Sequence, residues 1–185
     1  NIYEINSKHL DKRAMSMAMN NGERRIYTYA EVFAKAEQYA DALINAGVKA
    51  GDRIAFVAES SPEWSIAFFA SCKIRCTAAL IDASLAGEDL DEFITRSDVR
   101  AAFISQTAHE KLGDVAKYKF PFFNVVDGTL LADSVETVSA DLPASTDIDE
   151  NVACIIFSSG TTRKAAGIMH YHESLIKTTQ MTIKV

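Results

Sequence analysis

Apolar residues recur along the chain at two spacings, and the two patterns predict alternating strands and helices. Residues 28–47 place apolar side chains every three or four positions, which is typical of a helix with one buried face. Thr28 and Glu31 form a capping-box pattern at the start of this helix, and Gly47 stands where a helix commonly ends. The predicted buried face comprises Val32, Phe33, Ala36, Tyr39, Ala40, Leu43 and Ile44.

Shorter elements flank this helix on both sides. Upstream, two short runs around residues 20–22 predict a β-hairpin, because Asn and Gly tolerate the backbone of a tight turn. Downstream, a buried strand is predicted over 54–58, and a helix follows with Ser61 as its cap, Pro62 first and Glu63 favoured by the helix dipole. The elements predicted next are strand TAALID, helix GEDLDEFITRS, strand VRAAFIS, a weaker helix AHEKLGDVA, strand PFFNVV, strand VACIIF and a helix beginning near His172.

The alternation of strands and helices predicts the fold class. It indicates an α/β domain with a mostly parallel, doubly wound sheet and helices on both faces. The polar segment 127–151 reads as a surface connection, and the strand after it as central. Trp64 is predicted to anchor packing, and the alternating Met15, Met17 and Met19 to lie on the buried face of a strand.

Composition narrows the classes of function. The 185 residues are 48% apolar and carry a net charge of -6, which argues against nucleic acid as the main partner. No apolar run approaches the roughly 18 residues of a membrane span. The cysteines Cys72, Cys76 and Cys154 are odd in number and lack metal-ligand spacing, so we expect reduced thiols, a cytoplasmic location and no metal site.

Candidate chemistry concentrates in residues 156–172, IFSSGTTRKAAGIMHYH. An apolar strand there runs into hydroxyl side chains around Gly160, and two cations, Arg163 and Lys164, follow. Ligands of open α/β sheets bind at the carboxyl ends of strands, and amides freed by a glycine can converge on an anion. The residues alone leave two readings open, a phosphate site or a hydroxyl-rich surface turn. The stretch matches neither the Walker loop nor the GxGxxG fingerprint.

The same stretch resembles the phosphate-loop signature of adenylate-forming enzymes, the superfamily of acyl-CoA synthetases, nonribosomal adenylation domains and luciferases. In that signature an aromatic residue and Thr or Ser precede S-G-T-T-G-x-P-K-G-V, and a T-H pair follows shortly. Residues 157–162, Gly167, Ile168 and His172 match it in register. The stretches RRIYTYAEVF…SSPEW and CKIRCTAALIDASL also resemble the family, so the likeness spans nearly the whole chain.

This resemblance implies a function. Such enzymes activate a carboxylic acid with ATP and Mg²⁺, release pyrophosphate and usually pass the acyl group to the thiol of coenzyme A. Residues 1–185 would be the N-terminal subdomain of the AMP-binding adenylation domain, with its phosphate loop at 157–172 and the remainder of the protein's own chain as a partner. The residues that the resemblance assigns to the ATP phosphates are Ser158, Ser159, Gly160, Thr161, Thr162 and Lys164.

The sequence departs from the family pattern at four positions. Arg163 replaces the second loop glycine, Ala165 the proline, Ala166 the lysine, and Arg75 the glycine of an earlier Gly-Ala pair. We hypothesise that Arg163 and Lys164 restore the lost charge. The alternative is a non-catalytic nucleotide- or partner-binding module on the same fold. The family's later motifs, with its catalytic lysine, do not occur in these residues, so we expect the chain alone to be inactive.

Overall fold

The computed structural model describes residues 10–18, 22–140, 142, 149–157 and 167–183. These residues form a two-stranded sheet, a six-stranded sheet and the helices that cover the larger sheet. The elements are β1 (Arg13–Ala18), β2 (Arg24–Thr28), α1 (Tyr29–Asn45), β3 (Arg53–Val57), α2 (Pro62–Lys73), β4 (Thr77–Leu80), α3 (Gly87–Arg96), β5 (Val99–Ile104), α4 (Gln106–Leu112), β6 (Phe122–Asn124), β7 (Val152–Phe157), β8 (Gly167–Tyr171) and α5 (His172–Ile183).

The larger sheet has the strand order β6-β5-β3-β4-β7-β8. Every neighbouring pair is parallel except β7 and β8, which run antiparallel. Helices α1 and α2 pack on one face of the sheet, and α3 and α4 pack on the other. The predicted fold class, a mostly parallel doubly wound sheet, is therefore confirmed.

The central strands are buried on both faces. Phe56 and Phe103 meet each other on the α1–α2 side, where Phe103 also stacks on Tyr39. Val57 and Ile104 face the α3–α4 side. Trp64 stacks on Phe68 with 5.7 Å between ring centroids and meets Phe56 edge-on at 5.4 Å. Its predicted role as a packing anchor is confirmed.

Helix α1 begins and ends as its sequence predicts. The Thr28 hydroxyl accepts the amide N–H of Glu31, and the Glu31 carboxylate accepts the N–H of Thr28 at 2.7 Å. At the other end Gly47 has φ 88°, a left-handed conformation that favours glycine. Five of the predicted face residues are buried, but Phe33 is half-buried and Ile44 is 52% exposed, because the covered stripe of the helix is narrower than its apolar stripe.

Other predictions need correction. The helix predicted over 108–116 begins at Gln106, because Ser105 caps it, and ends at Leu112, because Gly113 has φ 66°. Of the three methionines predicted to be buried, Met15 is half-buried, Met17 is 40% exposed because the β1–β2 sheet has little cover, and Met19 lies outside the described residues. Strand β8 was not predicted as a strand. Part of the 127–151 connection also packs on the core, through residues such as Val138.

A buried carboxylate fastens the β1–β2 hairpin to α2. Glu63 is 4% exposed and accepts hydrogen bonds from the Tyr27 hydroxyl at 2.8 Å and the Arg25 guanidinium at 2.5 Å. Burial raises the pKa of Glu63, but these hydrogen bonds outweigh burial and hold the pKa below its ordinary value. The sequence suggested only a helix-dipole role for this residue, because its partners lie more than thirty positions away.

We expect Glu63→Gln to lower the free energy of unfolding at pH 7 by about 1–3 kcal/mol, since charged hydrogen bonds become neutral ones. Because the pKa of Glu63 is lower in the folded than in the unfolded state, its carboxylate stabilises the fold at neutral pH. That stabilisation is lost as the pH falls and the carboxylate is protonated. The difference between variant and wild type should therefore shrink from about pH 5 downward. Urea unfolding at several pH values measures it.

Glu92→Gln is the matched control, because Glu92 pairs with Arg96 on the exposed surface of α3. It should change stability by less than about 1 kcal/mol. Equal pH dependence for the Glu63 and Glu92 variants would contradict a stabilising role for the buried carboxylate.

Candidate functional site

The strands β7 and β8 place the two ends of the predicted phosphate loop at the carboxyl edge of the sheet. Strand β7 ends at Phe157, β8 begins at Gly167, and these two residues are paired across the strands. The segment between them therefore leaves and re-enters the sheet at one place, beside the carboxyl end of β4. This edge is where open parallel sheets bind their ligands.

The predicted phosphate-binding residues lie outside the described residues. They are Ser158, Ser159, Gly160, Thr161, Thr162 and Lys164, and the altered positions Arg163, Ala165 and Ala166 lie there too. Their assignment stays a prediction, while both ends of the segment that contains them have defined positions.

Two residues of the loop signature pack against their surroundings. The Phe157 ring meets Phe93 of α3 edge-on, with 5.4 Å between centroids. A Cβ atom at Gly167 would lie 2.7 Å from Cγ2 of Ile155, so a larger residue there would require the Ile155 side chain to shift. The aromatic residue and the glycine that flank the loop thus anchor its two ends.

The signature histidine begins a helix. His172 is the first residue of α5 and is 6% exposed. Its backbone N–H donates to the backbone carbonyl of Asn151 at 3.0 Å. The prediction of a helix start is confirmed. His170 lies within β8, so the two histidines do not belong to one strand. Among the described residues, no three His, Cys, Asp or Glu side chains are grouped to hold a metal ion.

Other groups at the carboxyl edge serve local structure. The Asp82 carboxylate, just after β4, accepts the N–H of Ser84 at 2.8 Å, and this bond holds the pKa of Asp82 below its ordinary value. Ser105, just after β5, caps α4. These side chains shape the turns around the site.

Burial of the three cysteines disfavours the thiolate form. All three are buried, and none forms a disulfide, as the sequence predicted. Burial raises the pKa of the Cys72 thiol to about 12, so it stays protonated near neutral pH.

The family model for AMP-binding enzymes matches residues 3–185. The chain belongs to the AMP-binding enzyme family. Among its relatives, the long-chain-fatty-acid–CoA ligase FadD13 of Mycobacterium tuberculosis is 27% identical over 151 residues, which cover 80% of this chain and 30% of the ligase. The chain therefore spans less than a third of the length of this relative.

Solved structures of adenylate-forming enzymes share the fold. ATP-bound MatB from Rhodopseudomonas palustris superposes with a TM-score of 0.70 at 22% identity, covering all of this chain and 37% of MatB. The inhibitor-bound N-terminal domain of FACL13 from M. tuberculosis gives a TM-score of 0.61 at 24% identity, covering 84% of this chain and 39% of that domain. At these identities the likeness establishes the fold class of the AMP-binding enzyme domain.

One departure from the family pattern lies within the described residues. Arg75, where the family has glycine, precedes β4 and has φ 59°, a left-handed conformation that strains residues with a Cβ atom. Its carbonyl accepts the N–H of Gly51 at 2.8 Å, which fixes this backbone. Its guanidinium lies 3.7 Å from the Glu150 carboxylate in an exposed ion pair.

We expect Arg75→Gly to raise the free energy of unfolding by about 0.5 kcal/mol. Relief of left-handed strain, about 1 kcal/mol, exceeds the extra unfolded-state entropy of glycine and the small contribution of an exposed ion pair. Arg75→Ala is the control, because it removes the ion pair and keeps the strain. Thermal and urea unfolding measure both variants, and a glycine variant less stable than the alanine variant would disprove the strain argument.

No described helix has both the length and the apolar character that crossing a membrane requires.

Proposed function

We propose that this chain forms the N-terminal part, residues 1–185, of an ATP-dependent, AMP-forming acyl-CoA synthetase. The full protein would activate a carboxylic acid as an acyl-adenylate and transfer it to the thiol of coenzyme A. One observation carries the proposal: the AMP-binding family match covers residues 3–185. The pairing of Phe157 with Gly167 supports it, because both ends of the loop signature lie at the carboxyl edge of the sheet.

The chemistry of the loop residues fits an anionic nucleotide. Ser158, Ser159, Thr161 and Thr162 supply hydroxyl donors, Gly160 allows close approach of backbone amides, and Lys164 supplies positive charge. Bound there, the pyrophosphate portion of ATP would be held while the carboxylate oxygen attacks the α-phosphorus. Such a transfer depends on positioning and charge stabilisation, which these donors provide.

The cofactors of the full protein are ATP, Mg²⁺ and coenzyme A, and its substrate is a small-molecule carboxylic acid. We assign no described residue as a ligand of Mg²⁺, which would enter with the ATP phosphates. We further propose a cytoplasmic location, which the three buried thiols without a disulfide support.

Ala166 favours a second candidate, a non-catalytic nucleotide- or partner-binding module. The family lysine at this position supplies a cation that alanine cannot. Under the leading proposal, Arg163 and Lys164 provide that charge from neighbouring positions.

Exchange between ATP and labelled pyrophosphate tests the reaction. We expect the full-length protein to catalyse this exchange in the presence of a carboxylic acid, and the 185-residue chain alone to show none, since no catalytic residue of the reaction is assigned within it. Exchange by the chain alone would disprove its predicted inactivity. A folded full-length protein that fails with a broad panel of acids would favour the non-catalytic module.

A titration of Mg-ATP into the isotopically labelled chain, followed by amide NMR, tests the loop. We expect shifts clustered at residues 158–164. Ala166→Lys should tighten binding about tenfold, because it restores a charge-assisted contact to phosphate.

Ala165→Lys is the control for this titration, since it adds the same charge one position away. Equal gains for the two variants would indicate a general charge effect and contradict a specific lysine position. If the wild-type spectrum is folded but shows no shifts, shifts in the Ala166→Lys variant would indicate that the loss of the lysine weakens the loop, and their absence would indicate that the site is incomplete in the 185-residue chain.

A further inference from the structure

The turn between β4 and α3 borders the candidate site. Strands β4 and β7 are parallel neighbours, and Leu80 at the end of β4 is paired with Ile156. The residues that follow β4 therefore lie beside Phe157, where the loop signature begins. We call residues 81–86, which connect β4 with α3, the β4–α3 turn.

A lysine of α4 holds the β4–α3 turn. The Lys111 ammonium donates to the carbonyl of Ala83 at 2.7 Å and to the carbonyl of Leu85 at 3.2 Å. Hydrogen bonds from Ser84 hold the pKa of Asp82 below its ordinary value, and the positive charge of Lys111 adds to this effect. One side chain thus connects α4 with two carbonyl groups of the turn.

The backbone of Lys111 also contacts the start of α3. A Cβ atom at Gly87, the first residue of α3, would lie 2.5 Å from the backbone carbonyl oxygen of Lys111. A backbone oxygen cannot turn aside as the end of a side chain can, so glycine allows the two helices to approach this closely. Lys111 therefore contacts the turn through its ammonium and α3 through its carbonyl.

The residue that precedes α3 cannot cap this helix. Helices α1, α2 and α4 follow Thr28, Ser61 and Ser105, whose hydroxyls each accept a backbone N–H of the first turn. Helix α3 follows Ala86, and a methyl group accepts no hydrogen bond. We therefore expect the start of α3 to depend on Lys111 for its position.

Helix α3 connects these contacts with the loop signature. The Phe93 ring, in the middle of α3, meets the Phe157 ring edge-on with 5.4 Å between centroids. Leu85 of the turn packs against the same apolar core as these two rings, on the α3–α4 face of the sheet. A shift at the start of α3 would therefore move the surface on which Phe157 packs.

We propose that Lys111 is a positioning residue of the nucleotide site: it fixes the β4–α3 turn and α3, and through Phe93 it fixes Phe157 at the start of the loop signature. The inference rests on the proposed function, which assigns the ATP phosphates to that loop. Lys111 itself is assigned no contact with the reacting atoms. Its loss lowers the fraction of molecules whose loop is ready to bind ATP, and the apparent affinity for ATP falls in proportion to that fraction.

Pyrophosphate exchange by the full-length protein tests the effect on ATP. Lys111→Met removes the charge and keeps the length of the side chain. We expect it to raise KM for ATP about tenfold and to change kcat by less than about twofold, because the competent molecules react normally. A general loss of folded protein would instead lower kcat and leave KM unchanged, and that result would overturn the proposal.

Two further variants serve as controls. Lys111→Arg retains donors for the two carbonyls, so its KM for ATP should stay within about threefold of the wild-type value. Lys73→Met removes a lysine whose ammonium bonds to the Glu37 carboxylate at 2.9 Å and connects α2 with α1 on the other face of the sheet. It should leave KM unchanged, and equal increases for Lys73→Met and Lys111→Met would overturn the proposal.

Hydrogen exchange of the full-length protein, followed by mass spectrometry, tests the contacts without any need for activity. In Lys111→Met, the peptides that contain residues 83–90 and 154–157 should exchange at least about fivefold faster than in the wild type. Faster exchange confined to residues 83–90 would show that the effect of Lys111 ends at α3, and would overturn its role at the loop. Unchanged exchange in both peptides would overturn the proposal as well.

These outcomes are separable from the test of function. A wild-type protein without pyrophosphate exchange would disprove the synthetase activity, while hydrogen exchange would still decide whether Lys111 fixes Phe157. An active protein whose KM for ATP is unchanged in Lys111→Met would keep the proposed function and overturn the positioning role.

Discussion

Burial of a parallel sheet on both faces is the constraint on which the rest of this structure depends. Parallel strands require apolar cover on each side, and β5 is buried at every position as a result. Helices α1 and α2 provide this cover on one face of the sheet, and α3 and α4 provide it on the other. The carboxyl ends of β4 and β7 then meet at one edge, where the loop signature begins. The site therefore follows from the way the sheet is covered.

Much of the fold could be predicted because its signals are local. The start of α1 can be predicted from Thr28 and Glu31, which are three positions apart, and its end from Gly47. The features that were missed depend on distant partners. Glu63 resembles an ordinary first-turn acid until Arg25 and Tyr27 are brought beside it by the hairpin. Strand β8 has only five residues, and nearly all are exposed. Its sequence therefore lacks the alternation of apolar and polar residues by which a half-buried strand is recognised.

The candidate site shows a similar division. The family could be predicted from the motif, while the phosphate site itself, an apolar strand followed by hydroxyls, stays a prediction. The packing of Phe157 on Phe93 could not be read from the sequence, because it joins β7 to a helix some sixty positions earlier. Likewise, the reason for Gly167 is the methyl group of Ile155 on the adjacent strand, a contact that only the strand register reveals. Local chemistry indicates what the loop can bind, and tertiary packing fixes Phe157 and Gly167, the residues on either side of it.

The pairing of Phe157 with Gly167 has a consequence for how this family can change. Two residues paired across adjacent strands keep their Cα atoms about 5 Å apart, whatever sequence connects them. Contacts within the sheet therefore offset the entropy cost of closing this loop, and the loop residues need not offset it themselves. Residues of the segment can then be replaced, as at Arg163 and Ala166, without any change in the strand pairing that fixes its two ends. Divergence in nucleotide chemistry can then proceed without divergence of the fold.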